Sequence, residues 1–158
     1  MDAIPYLVDK IRHTRCGDGK LLAAGGGSTP QWCGTAAAAE AWALREALYL
    51  MPVHVPLLRT DCLSLLRLAD AGADVATAPD RVSARIWCDI AHRLDGKLHQ
   101  LTCDGKLVWM PSHTSLAAVP HQSLSNGDAM SAIDWRANRL ADAIAKKEAK
   151  VSFSGAQH

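Results

Sequence analysis

Apolar positions recur at helical spacing through residues 35–50, a stretch rich in Ala and Leu that Pro52 closes. Within it Glu40, Ala43, Leu44, Ala47 and Leu48 share one face, so Glu40 is expected to lean toward the core. Glu46 belongs with Arg45 on the polar side. Upstream, residues 6–16 and 20–24 are strand-like and flank Gly17-Asp18-Gly19, a hairpin signal. The run Gly25-Gly26-Gly27-Ser28-Thr29-Pro30 is expected to end the second strand and open an irregular stretch. Downstream, residues 53–59 form a short apolar strand, 63–71 a helix, 72–79 a loop and 80–94 a helix with Ile86, Ile90 and Leu94 inward. Residues 98–103 and 106–110 are expected as strands separated by Asp104-Gly105. Residues 111–130 lack periodicity and are rich in Ser, His, Pro and Asn, as functional or mobile loops often are. Ser131, with Asp134 three residues on, predicts a capped helix to about Lys150. Ile133, Ala137, Leu140, Ala141, Ile144 and Ala145 would face inward, and residues 151–158 form a frayed tail.

Strand, strand, helix, strand, helix, helix, strand, helix is an α/β order. An antiparallel hairpin joined to parallel strands implies a mixed sheet with helices on both faces. The length of 158 residues fits one domain, residues 1–150, with a core of its own. A net charge of +1 provides no global basic field, so any nucleic-acid contact must be local. Five cysteines without a C-x-x-C pair argue against a zinc ribbon or disulfide framework and for a reducing, intracellular setting, cytoplasmic or nuclear. No apolar run is long enough to span a membrane, and no leader is visible at the N-terminus.

Candidate chemistry resides in three acids in different settings: Glu40 on its helix, Asp61 just past a strand, and Asp142 in the last helix. A carboxylate near a core is costly unless paired or bound to a cation. Hard divalent cations such as Mg²⁺ or Mn²⁺ take such oxygen ligands, and a pair of them suits phosphodiester cleavage. Asp61 has an ordinary alternative role as a helix N-cap. His113 is a candidate proton shuttle, its alternative a loop histidine hydrogen-bonded locally; Asn138, one turn before Asp142, would orient that acid or contact a sugar hydroxyl, and Arg81 and Arg85 are candidate phosphate contacts, these three with a plain surface role as the alternative. The cluster Lys146, Lys147 and Lys150 reads the same way. Asp134 reads as capping, His99 and His121 as surface residues, and the tryptophans as core or rim.

With those residues in place, the chain resembles the ribonuclease H family, particularly domains attached to retroelement reverse transcriptases, over residues 6–150. Ala39-Glu40-Ala41-Trp42-Ala43-Leu44 is similar to the family's A-E-L-x-A-L helix, and Thr60-Asp61-Cys62 to its T-D-S. Trp109-Met110-Pro111-Ser112-His113 is similar to W-V-x-G-H, and Asn138-Arg139-Leu140-Ala141-Asp142 to N-x-x-A-D. The resemblance implies cleavage of the RNA strand of RNA–DNA hybrids by a monomeric domain with two Mg²⁺ or Mn²⁺ ions, beside a reverse transcriptase domain in a parent polyprotein. Glu40, Asp61 and Asp142 would be ligands and His113 the shuttle. The family's opening D-G-S strand has no counterpart, leaving Asp2, ahead of Asp9, as the candidate fourth ligand. The alternative function is a domain that keeps the fold without cleaving and binds nucleic acid or protein.

Overall fold

A computed structural model describes residues 5–8, 25–51 and 55–155, with side chains over 29–51 and 55–147. In chain order the elements are β1 (Pro5–Val8), β2 (Gly25–Ser28), α1 (Ala36–Leu50), β3 (Leu58–Thr60), α2 (Leu63–Ala71), α3 (Ala73–Ala76) and α4 (Ala84–Arg93). They continue with α5 (Gln100–Cys103), β4 (Leu107–Trp109), a 3₁₀ turn (Leu116–His121) and α6 (Ala132–Gly155). The architecture is mixed and helix-rich. β1 and β2 pair antiparallel, Pro5 opposite Ser28 and Val8 opposite Gly25. β3 and β4 pair parallel, Leu58 with Leu107 and Thr60 with Trp109. Among the described residues these are two separate two-stranded sheets, where the hydrophobic pattern predicts one mixed sheet.

Each strand of the parallel pair sends alternate side chains to opposite faces. Leu58 and Leu107 enter a core built with α1, α2, α4 and α5, in which Trp87, Ile86, Ile90, Leu98 and Leu101 are fully buried. Val108 and Met110 point the other way, into a second cluster with Val119, Leu124 and Met130, against which Leu57 and Trp135 pack. A short parallel sheet is stable only when covered on both faces, and the two clusters supply that cover.

Several elements depart from the sequence-based expectation. The glycine run does not end a strand: Gly25 to Ser28 is β2, its backbone paired to Pro5–Val8 without needing side chains. The Gly17-Asp18-Gly19 turn lies outside the described residues. Residues 98–103 are not a strand. Leu98 and Leu101, both buried at i and i+3, match a helical turn, and α5 occupies 100–103. The expected loop at 72–79 contains α3, set off from α2 by Gly72 at φ 85° and ψ 177°, a conformation open essentially to glycine alone. Helix α4 starts only at Ala84, so Arg81 precedes it in a turn. The loop at 111–130 carries the 3₁₀ turn and a Ser123–Ala129 bridge, and α6 continues to Gly155, into the expected tail. The 35–50 helix agrees, with Thr35 as its cap: the Thr35 hydroxyl accepts from Ala38 N at 3.1 Å. No helix among the described residues is long and apolar enough to cross a membrane.

Candidate functional site

Between α1, the end of β3 and α6 lies a cleft of about 100 Å³. Glu40, Asp61, Asn138 and Asp142 all line it, together with Arg59 and Thr60. Four residues spread over a hundred positions of sequence are thus brought to one depression. Its walls are small: Ala43 and Ala47 from α1, Ala141 and Ala145 from α6, with Leu58, Leu65 and Leu107 at its base. A cleft this size admits a few waters or hydrated ions. A polynucleotide could only lie across its mouth.

Glu40 reaches the cleft differently from the expectation. It is exposed, not core-facing, while Ala38, Ala39, Ala41, Ala43, Leu44, Ala47 and Leu48 form the buried face of α1. From the rim of that apolar face Glu40 still lines the depression. Asp61 follows β3 and is half-buried. Its capping alternative does not apply, because Cys62 is the N-cap of α2 and makes no side-chain cap bond. Instead Thr60 Oγ accepts from Cys62 N at 3.0 Å, fixing the turn that carries Asp61. The Trp109 indole Nε1–H donates to the Asp61 carbonyl at 3.0 Å, so β4 pins the same turn from its other side. Asn138 and Asp142, one turn apart on α6, are half-buried.

Arg59 is the cleft residue that sequence reasoning missed, although it is the single charge within the apolar run before Asp61. Its Nε lies 3.0 Å from Asp134 Oδ1, a close ion pair but not an aligned hydrogen bond. Asp134 is buried and caps α6 as expected. Its Oδ2 accepts from Ser131 N at 3.0 Å and Ser131 Oγ at 2.6 Å, while Ser131 Oγ accepts from Asp134 N at 3.2 Å. The cap of α6 and a cationic wall of the cleft are therefore one network.

The remaining candidates lie elsewhere. His113 is exposed, sits at φ 56°, and does not line the cleft. The next residue is held by Trp135, whose Nε1–H donates to Thr114 O at 2.6 Å. Arg81 Nε donates to Val75 O at 2.7 Å, and the Arg85 guanidinium lies 5.1 Å from the Trp32 ring centre. Lys146 and Lys147 are exposed, as are His99 and His121. Asp2 and Asp9 lie outside the described residues.

By chemical type, three carboxylates and a carboxamide suit a hard divalent cation. By position they are not gathered: among the described residues no three His, Cys, Asp or Glu side chains lie close enough to hold a metal ion. Comparison with protein-family models, curated proteins and solved structures gives no match.

Proposed function

We propose that this chain is a ribonuclease H-like domain that acts on the RNA strand of RNA–DNA hybrids, with the cleft as its site. The observation that carries the reading is the convergence of Glu40, Asp61, Asn138 and Asp142 on one depression. Those four were singled out from motifs in three separate segments. The order of elements agrees: an antiparallel pair, a helix with Glu40, a strand ending at Asp61, a parallel strand ending at Trp109, and a last helix with Asn138 and Asp142. On this reading Glu40, Asp61 and Asp142 are the candidate ligands of Mg²⁺ or Mn²⁺, which they would have to draw closer together to hold, and whose chemistry is charge stabilisation at a phosphate and activation of water. Arg59 balances part of the acidic charge, Trp109 fixes the Asp61 turn, and Asn138 orients Asp142 or meets a sugar hydroxyl.

One observation favours a second reading, a domain that binds without cutting. The described acids are not gathered at metal-holding distance, and the D-G-S strand has no counterpart in the sequence. A labelled hybrid incubated with the protein in Mg²⁺ or Mn²⁺ separates the two. Cleavage abolished by Asp61→Asn and by Asp2→Asn is the result expected of the enzyme, the latter naming the fourth ligand. Hybrid binding without cleavage in either metal establishes the binding domain. Neither binding nor cleavage sinks both readings.

A further inference from the structure

Away from the cleft, the opposite side of α1 carries a stack of flat side chains. Trp42, Arg45 and Tyr49 follow one another at helical spacing, and the Arg45 guanidinium lies 4.6 Å from the ring centres of both Trp42 and Tyr49. Trp32 meets Trp42 edge-on, centroids 5.8 Å apart at 85°, and Arg85 from α4 covers Trp32. Asp89, one turn after Arg85, accepts from Arg45 Nε at 2.8 Å, and Glu46 accepts from Arg45 Nη1. Burial alone would lower the Arg45 pKa, but these two carboxylates outweigh it and raise it, keeping the cation fixed between the rings. The stack is thus tied together by ion pairs and ring contacts within the chain itself. It is not buried: Trp32 and Tyr49 remain 42% and 43% exposed, and Arg85, over Trp32, is exposed as well.

We infer that this strip is a stacking platform for the bases of a single-stranded nucleic-acid segment adjoining the cleft. The choice of ligand rests on the nucleic-acid reading of the cleft. Alternating aromatic rings and guanidinium planes bind single strands with little sequence preference, since every base offers a π-face. Both sites draw on α1, the cleft on the side of Glu40 and the strip on the side of Trp42 and Tyr49. Gly34, Thr35, Ala36 and Ala37 are all exposed, all small, and separate Trp32 from the cleft residue Glu40. A strand crossing the cleft mouth can pass over that low ground and around a helix only about 10 Å wide. With Arg45 paired to two acids, the exposed Arg85, stacked on Trp32, would meet phosphates with the N–H groups that its ring contact leaves outward, an arrangement suited to a backbone that follows the strip edge.

The test uses the full chain and fluorescein-labelled oligo(dT), oligo(rU) and a blunt RNA–DNA hybrid, titrated by anisotropy. Single strands are expected to bind, with Trp32→Ala lowering that affinity about fivefold or more and Trp32→Phe restoring most of it. Affinity for the blunt hybrid stays within about twofold, as the cleft alone supports it. Tyr49→Ala, at the other end of the strip, is expected to act in the same direction. An unchanged single-strand affinity in both alanine variants overturns the inference. So does equal weakening for single strand and blunt hybrid, which reports a general loss of structure. Self-association seen by sedimentation and lost in Trp32→Ala would reassign the strip to contact between copies of the chain. Failure of hybrid binding with single-strand binding intact removes the cleft reading and leaves the platform standing.

Discussion

Asp134→Ala is the perturbation whose cost the structure lets one work out. Asp134 is buried and takes two hydrogen bonds from Ser131 on a single carboxylate oxygen. Hydrogen bonds to a charged group contribute roughly 1.5–3 kcal/mol, and the two share one acceptor, so about 2 kcal/mol is lost. Truncation also leaves Arg59, a guanidinium with a side chain 20% exposed, without its counter-charge. Breaking a fully buried pair costs about 3–5 kcal/mol. The partial exposure of Arg59 and its imperfect alignment reduce that to about 1–2 kcal/mol here. The sum is about 3–4 kcal/mol. With an m-value of about 2 kcal/mol per molar, the urea midpoint falls by roughly 1.5–2 M at unchanged slope. Asp134→Asn keeps an acceptor for Ser131 and should lose about half as much. A double-mutant cycle with Arg59→Met should show about 1 kcal/mol or more of coupling. A midpoint shift under about 0.5 M for the alanine variant would refute the network as an energetic unit. Zero coupling would confine Asp134 to its cap.

Trp109→Phe keeps the ring and removes the donor to the Asp61 carbonyl. It should cost only about 1 kcal/mol of stability; if the protein cleaves hybrids as proposed, kcat should fall about tenfold with KM nearly unchanged, because the acid loses its placement. An unaltered kcat would show that the indole bond has no bearing on Asp61. Burial pushes the Cys33 thiol pKa up. The folded state therefore retains a proton that the unfolded chain begins to release near pH 8.5, so this contribution is constant below that and lost as pH rises toward the folded value. Urea midpoints compared at pH 7 and pH 10 should fall less for Cys33→Ala than for the parent, and parallel declines would contradict the assignment.

Helices with a clear apolar stripe were legible in the sequence: α1 and α2 end within a residue of their expected bounds, and Thr35 and Ser131 begin their helices. Short elements were not. Leu98-His99-Gln100-Leu101 fits an alternating strand almost as well as a turn of helix, and only the burial of both leucines in the core decides it. The triglycine strand carries no hydrophobic period to read, since its partner supplies the pairing. At the site, Glu40, Asp61, Asn138 and Asp142 were legible because each sits in a motif. The orientation of Glu40 was not, since the rim and centre of a helix face lie only a few tens of degrees apart. Arg59 was hidden by the same strand alternation that places it opposite Leu58, and its tie to Asp134 spans a long stretch of chain.

The alanines of the cleft walls have a consequence for how such a chain changes over generations. Ala43, Ala47, Ala141 and Ala145 line the depression, so a larger apolar side chain at any of them would take up part of its space. Substitutions that stabilise this region by filling space are therefore also the ones that plug the depression. A lineage under pressure for stability alone would drift toward leucine there. Four methyl groups that stay small across descendants would mark selection for the open space itself, independently of whether any acid beside it is retained.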